Sequence, residues 1–240
     1  MKRILVLALS VILALVVAAP LAAGAPGQTS ADQAKTFAKD WWPWAMSKPK
    51  DINPLIGSYT EGVDKGTDKC NGRNTSEAWF LAGTLDGSKV ERTCNVPANT
   101  PILAPIVNDR CSKIEGDGNT DKELLACAKN LMDTVLKSEG AQPVAKVDGK
   151  DVPPDHITRV GASTFTLTLP ADSVMENCGP NHDQQCGPAT NVKAAGDGVY
   201  VLLDPMKAGE QHTISFGGSF PIPDFHFHFS QNNTYKITAV

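Results

Sequence analysis

Six cysteines constrain this chain more than any other feature: Cys70, Cys94, Cys111, Cys127, Cys178 and Cys186. All of them follow an N-terminal apolar stretch, and an even count in an oxidising compartment points to disulfides, although six cysteines permit about 15 pairings. Order along the chain suggests neighbours, joining Cys70 to Cys94, Cys111 to Cys127 and Cys178 to Cys186. Structural zinc is the competing use of cysteine, and the absence of any C-x-x-C pair argues against it.

The apolar stretch sets the compartment. Met1-Lys2-Arg3 precede an apolar run from Ile4 to Leu21, and small residues end it at Ala22-Ala23-Gly24-Ala25. A basic start, an apolar middle and a small-residue exit read as a secretory signal peptide over residues 1–24. The alternative is an uncleaved anchor, since the run nearly suffices to span a bilayer. Pro26 disfavours a cut directly after Ala25, which leaves Ala23 or Gly24. About 215 residues then remain, enough for one domain with a real core. Removing Lys2 and Arg3 takes the formal charge from -4 to -6. An acidic protein without a basic cluster is a poor partner for nucleic acid or anionic membrane. The reading is a secreted or extracytoplasmic protein with no membrane span after cleavage.

Residues 25–48 read as a helical segment. Ser30 can cap it with Gln33 as its reciprocal partner, and Ala34, Phe37, Ala38 and Trp41 recur at helical spacing. Pro43 should stop or kink the helix, leaving Trp41, Trp42 and Trp44 at a bend. These indoles either pack the helix onto a sheet or form a stacking platform for a sugar or peptide. The second helix is plainer, over 121–139: Thr120 and Glu123 form a capping box, Leu124, Ala128, Leu131 and Val135 make a stripe, and Gly140 closes the end. Asp117, Asn119 and Asp121 alternate like the start of a calcium loop. The twelve-residue pattern fails at its glycine and glutamate positions, where Lys122 and Ala128 stand.

The rest of 49–240 alternates as strands. Asp86-Gly87 and Asp148-Gly149 are two-residue hairpin signals, and Phe165, Leu167 and Leu169 share one face of a strand whose other face is threonine. Pro101 and Pro105 mark an apolar run as an edge strand or a bulged one. Eight or nine strands with one inserted helix predict a mainly β fold, an antiparallel sandwich behind an N-terminal helix and stabilised by disulfides.

Several stretches together resemble a family of exported proteins known only as uncharacterised: "WWPWAMSKP", "NPL" at 53–55, "WFLAGTL", "RTCNVPANTPILAPIVNDRCS", "DGVYVLLDPMKAGEQHTISFGG" and the terminal "TYKITAV". The resemblance implies export. It brings no activity or catalytic set, and "DFHFHF" at 224–229 departs from the family's pattern.

That departure is the one place with metal-like spacing. Alternation puts Asp224, His226 and His228 on one strand face and Phe225, Phe227 and Phe229 on the other, and such H-x-H pairs serve as zinc or copper ligands on β scaffolds. A third ligand is the difficulty. His212 shares a face with Ile214 and Phe216 and should point inward, and His182 with Asp183 tips a loop closed by Cys178 and Cys186. Buried phenylalanines with outward, solvated histidines are the favoured reading.

No nucleophile elbow, zinc-protease helix, phosphate loop or dinucleotide fingerprint occurs. The sequence therefore points to a non-catalytic exported module, without a cofactor, that binds an extracellular or cell-envelope ligand through Trp41, Trp42 and Trp44. The alternative is a zinc or copper enzyme on Asp224, His226 and His228.

Overall fold

The computed structural model describes residues 31–57, 63–64, 69–70, 77–153, 157–176, 178, 184–222 and 227–240. Residues 1–30, which include the segment read as a signal peptide and Ser30, and His182, Asp183, Asp224, Phe225 and His226 lie outside the described residues.

Helix α1 covers Ala31–Met46. It runs through Pro43 instead of stopping there. The missing N–H deletes one bond close to the end of the helix, and Ser47 N–H still donates to the Pro43 carbonyl (3.2 Å). Trp44, Ala45 and Met46, all buried, hold that last turn by packing. Helix α2 covers Asp121–Lys137, with the capping box of Thr120 and Glu123 formed. Its end falls two residues earlier than the periodicity suggests, and Gly140 comes after it with φ +86°.

The strands are β1 (Val63–Asp64), β2 (Trp79–Phe80), β3 (Lys89–Val96), β4 (Ile102–Ser112), β5 (Gln142–Val147), β6 (Lys150–Asp151), β7 (Ile157–Arg159), β8 (Ser163–Leu169), β9 (Ala189–Leu203), β10 (Gln211–Ile222) and β11 (Phe227–Ala239). One sheet runs β1-β3-β11-β10-β5-β6. The other runs β2-β4-β9-β7, with β8 also paired to β9. The long pairings, β4 with β9 and β10 with β11, are antiparallel, whereas β3 runs parallel to β11 and β2 to β4.

The two sheets enclose the main core. Val90, Cys94 and Val96 of β3, Ile214 and Phe216 of β10 and Ile237 of β11 meet Ile102, Ile106, Val199 and Val201 of the facing sheet. The opposite face of β4 and β9 carries a second apolar layer, in which Leu103 and Leu202 pack against α1 and against Leu167 and Leu169 of β8. Alternation along each strand thus feeds two layers at once. Helix α2 inserts Met132 into the main core and sets Leu124 and Ala128 on Cys111 and Ala195.

Asp148-Gly149 turns between β5 and β6 with both residues at positive φ, the type I′ geometry its sequence suggests. Asp86-Gly87 does not join a hairpin. Trp79–Phe80 pair with β4, and Lys89–Val96 lie in the other sheet beside β11. Segment 81–84 crosses between the sheets instead, its backbone groups satisfied by Leu103 O and by the side chains of Trp41, Tyr235 and Gln231.

The cysteines pair as 70–94, 111–127 and 178–186, with Cα separations of 5.5, 6.1 and 5.1 Å. The middle bridge ties α2 to the end of β4. No helix among the described residues is long and apolar enough to cross a membrane.

Candidate functional site

Strand β2 is only two residues long and covers only Ile102 and Leu103 of β4. Beyond it, no described strand covers this edge of β4. The register slips between Pro105 and Val107, so that Ile106 and Val107 both enter the core. A bulge of this kind bends the strand and re-aims the side chains beyond it. The opening left along 105–109 is a crevice of about 320 Å³, walled by Trp41 and Trp42, by Leu131, Met132 and Val135 of α2, and by Phe229 and Gln231 of β11. Leu85, 46% exposed, lines it as well, and is one of the few large apolar side chains in the described structure that face water.

Hydrogen bonds fix these walls. Trp41 Nε1–H donates to Leu81 O (2.9 Å), Trp42 Nε1–H to Asp109 O (2.8 Å), and Gln231 Nε2–H to Thr84 O (2.9 Å). The rings of Trp41 and Trp42 meet edge to face at 4.9 Å. Trp42 lies so close to β9 that a Cβ on Gly196 would stand 2.9 Å from its Cδ1. Only glycine leaves that space. The guanidinium of Arg110, itself paired with Glu115, sits 5.4 Å from the Trp42 ring centroid.

The ionisable residue in the wall is Asp109, directly opposite Asp197 in the β4–β9 pairing. Asp197 N–H donates to Asp109 Oδ1 (3.3 Å), while Asp109 Oδ2 is buried without a hydrogen-bond partner among the described residues. Burial above all, with the Asp197 charge adding to it, pushes the Asp109 carboxyl up to about 8. The Asp197 amide and Arg159 only partly oppose this. Near neutral pH the carboxyl is therefore mostly protonated and carries a hydrogen that no described residue accepts. Asp197, 1% exposed, is held instead by Arg159 through Nε (3.2 Å) and Nη2 (2.7 Å). Arg159 Nη1 donates to Asp133 Oδ1 of α2 (2.6 Å). Lys129 and Arg159 hold the Asp133 carboxyl well below the usual carboxylate range.

Of the three tryptophans singled out by sequence, Trp41 and Trp42 are buried as residues and contribute wall. Trp44 packs on Phe80 at 5.5 Å, away from the crevice. They do not form an exposed platform. His228 is exposed, its Nε2 2.7 Å from Ser219 Oγ, and Phe229 packs on the main core. Asp224 and His226 lie outside the described residues. His212 is buried and pairs through Nδ1 with Asp148 Oδ2 (2.7 Å). Among the described residues no group of three His, Cys, Asp or Glu is placed to hold a metal.

Sequence reasoning did not single out Asp109, Arg159 or Asp197. The available signal was an aspartate at one end of each of two largely apolar strand runs, "ILAPIVND" and "DGVYVLL", because a charge at such a place needs a partner. Comparison with protein-family models, with curated proteins and with solved structures finds no match to this chain.

Proposed function

We propose that the protein is an exported, non-catalytic binding module that takes a small apolar ligand into the crevice beside β4. The observation that carries this reading is a crevice of about 320 Å³ with a mainly aromatic and aliphatic wall and one buried, mostly neutral carboxyl. Small-molecule sites have this composition and start at about 300 Å³. Three disulfides are compatible with an extracellular location. The leader-like start of the chain supports export in the same sense.

Titration with the neutral fluorophore N-phenyl-1-naphthylamine tests the reading. One saturable site is expected. Leu131→Trp should abolish it by filling the cavity, while the paired changes His226→Ala and His228→Ala leave it intact. A saturable signal that survives Leu131→Trp would place binding elsewhere.

A further inference from the structure

We infer that the ligand is a compact, uncharged ring compound carrying a hydrogen-bond acceptor such as a ketone or ester oxygen, and that Asp109 is the donor that selects it. This rests on the reading of the crevice as a binding site and narrows the ligand's class.

Charge around the crevice is already matched on β4, β7, β9 and α2. Asp197 of β9 is paired with Arg159 of β7. On α2, Asp133 takes Arg159, Lys129 and Lys137. On β4 itself, Arg110 takes Glu115. A carboxylate or phosphate ligand would have to compete for cations that these pairs already hold. An ammonium ligand would meet the Arg110 guanidinium already lying against Trp42. A ligand anion would be desolvated without a partner of its own, and an ammonium could pair only by driving the proton off Asp109 and desolvating two charges, either of which costs far more than a ring and a carbonyl lose on entering the same space.

Asp109 supplies the positive argument. Five buried side-chain atoms in the described structure lack a partner, each of which calls for an explanation, and of the residues that carry them only Asp109 lines the crevice. Asp109 lines the crevice, and protonated its carboxyl offers a hydrogen; Oδ2 is buried without a partner among the described residues, so a ligand acceptor meets it as the carboxyl turns towards the crevice. Tyr200, also near Asp109, has its hydroxyl pushed above its ordinary range by burial, so it stays neutral while Asp109 titrates. Ligand selection should therefore track the state of one carboxyl.

A matched series of naphthalenes tests this on the disulfide-bonded protein by calorimetric titration: 2-acetylnaphthalene, its near-isostere 2-ethylnaphthalene, and 2-naphthoate. At pH 6.5 the ketone should bind about five- to tenfold tighter than the ethyl compound, the yield of one net hydrogen bond. The naphthoate should be weakest. At pH 9.5 the ketone's advantage should vanish in the parent protein and persist in Asp109→Asn, whose amide donates at either pH. Equal affinity of the two neutral ligands at pH 6.5, or a preference unchanged at pH 9.5 in the parent, overturns the inference while leaving the crevice a binding site. Preference for the naphthoate overturns it too. If none of the three binds, the reading of the crevice falls and this inference with it. Should Asp109→Asn fail to fold, the parent's pH profile alone decides.

Discussion

Asp109 and Asp197 stand directly opposite each other across β4 and β9, yet of these two Arg159 binds only Asp197. Two like charges side by side on a partly buried surface cannot both be comfortably ionised. Asp197 has Arg159 as a close counter-ion, whereas burial above all, with the Asp197 charge adding to it, drives Asp109 towards its neutral form.

Stability should record that asymmetry. Asp109 titrates near 8 in the folded chain, against about 3.9 when unfolded. Between those values the folded protein holds a proton that the unfolded chain has released. The contribution of this group is therefore complete below pH of about 4 and is lost as pH rises towards 8. Asp109→Asn keeps an acceptor for the Asp197 amide and has nothing to titrate. The variant should gain on the parent from pH 5 to pH 8, by on the order of 4 kcal/mol at about 1.36 kcal/mol per pH unit, and the gap should level off above that. Urea unfolding at three pH values measures it. A gap independent of pH would contradict the account.

The partner ion pair makes the opposite prediction. Removing Arg159 leaves Asp197, 1% exposed, as an uncompensated buried charge. Arg159→Ala should cost about 3 kcal/mol, the lower part of the range for breaking a buried pair, because the guanidinium itself is partly exposed. Adding Asp197→Asn should recover at least half of that. Equal costs in the single and double variants would mean that Arg159 acts only through packing or through Asp133.

Much of the architecture is legible in the sequence because it rests on short-range rules. The capping box of α2, the Asp148-Gly149 turn and the alternation of Phe165, Leu167 and Leu169 are each decided by a few adjacent residues. Cysteine order gives the same pairing as the structure. Distant partners settle the features that do not read locally. Asp86-Gly87 looks like a hairpin, but Trp79–Phe80 are drawn to β4, while Trp41 and Gln231 satisfy the crossing segment from elsewhere in the chain. Pro43 looks like a helix end, but the burial of Trp44, Ala45 and Met46 carries the helix past it. The crevice is the least legible part. Its wall draws on α1, α2, β4, β11 and a loop, and Asp109 becomes notable only once Asp197 stands opposite and Arg159 has been taken.

Gly196 should be intolerant of even one methyl. A Cβ there would stand 2.8 Å from the Asp109 carbonyl oxygen and 2.9 Å from Trp42 Cδ1. Gly196→Ala should destabilise by about 1–3 kcal/mol through overpacking. Trp42→Leu should cost stability on its own, but less in the Gly196→Ala background than in the parent, because the smaller side chain relieves part of the clash. Strict additivity of the two changes in thermal unfolding would show that the indole is not the obstacle.

The bridge between Cys111 and Cys127 should matter for stability and little for the crevice. It closes a loop of 16 residues in sequence separation, for which restriction of the unfolded chain predicts about 3 kcal/mol. Helix α2 is also pinned without it: Leu124, Ala128 and Met132 are fully buried, and Asp133 is tied to Arg159. These contacts flank Leu131, Met132 and Val135, the part of α2 that walls the crevice. Replacing both cysteines by alanine should thus lower the urea midpoint by the amount expected for about 3 kcal/mol while changing N-phenyl-1-naphthylamine affinity by less than about twofold, since the native helix keeps its other anchors. Met132→Ala should do the reverse in relative terms, costing a comparable 2–5 kcal/mol but enlarging the cavity and altering affinity measurably. If affinity instead collapsed with the disulfide and survived Met132→Ala, α2 would be positioned by its covalent tether and not by its packing.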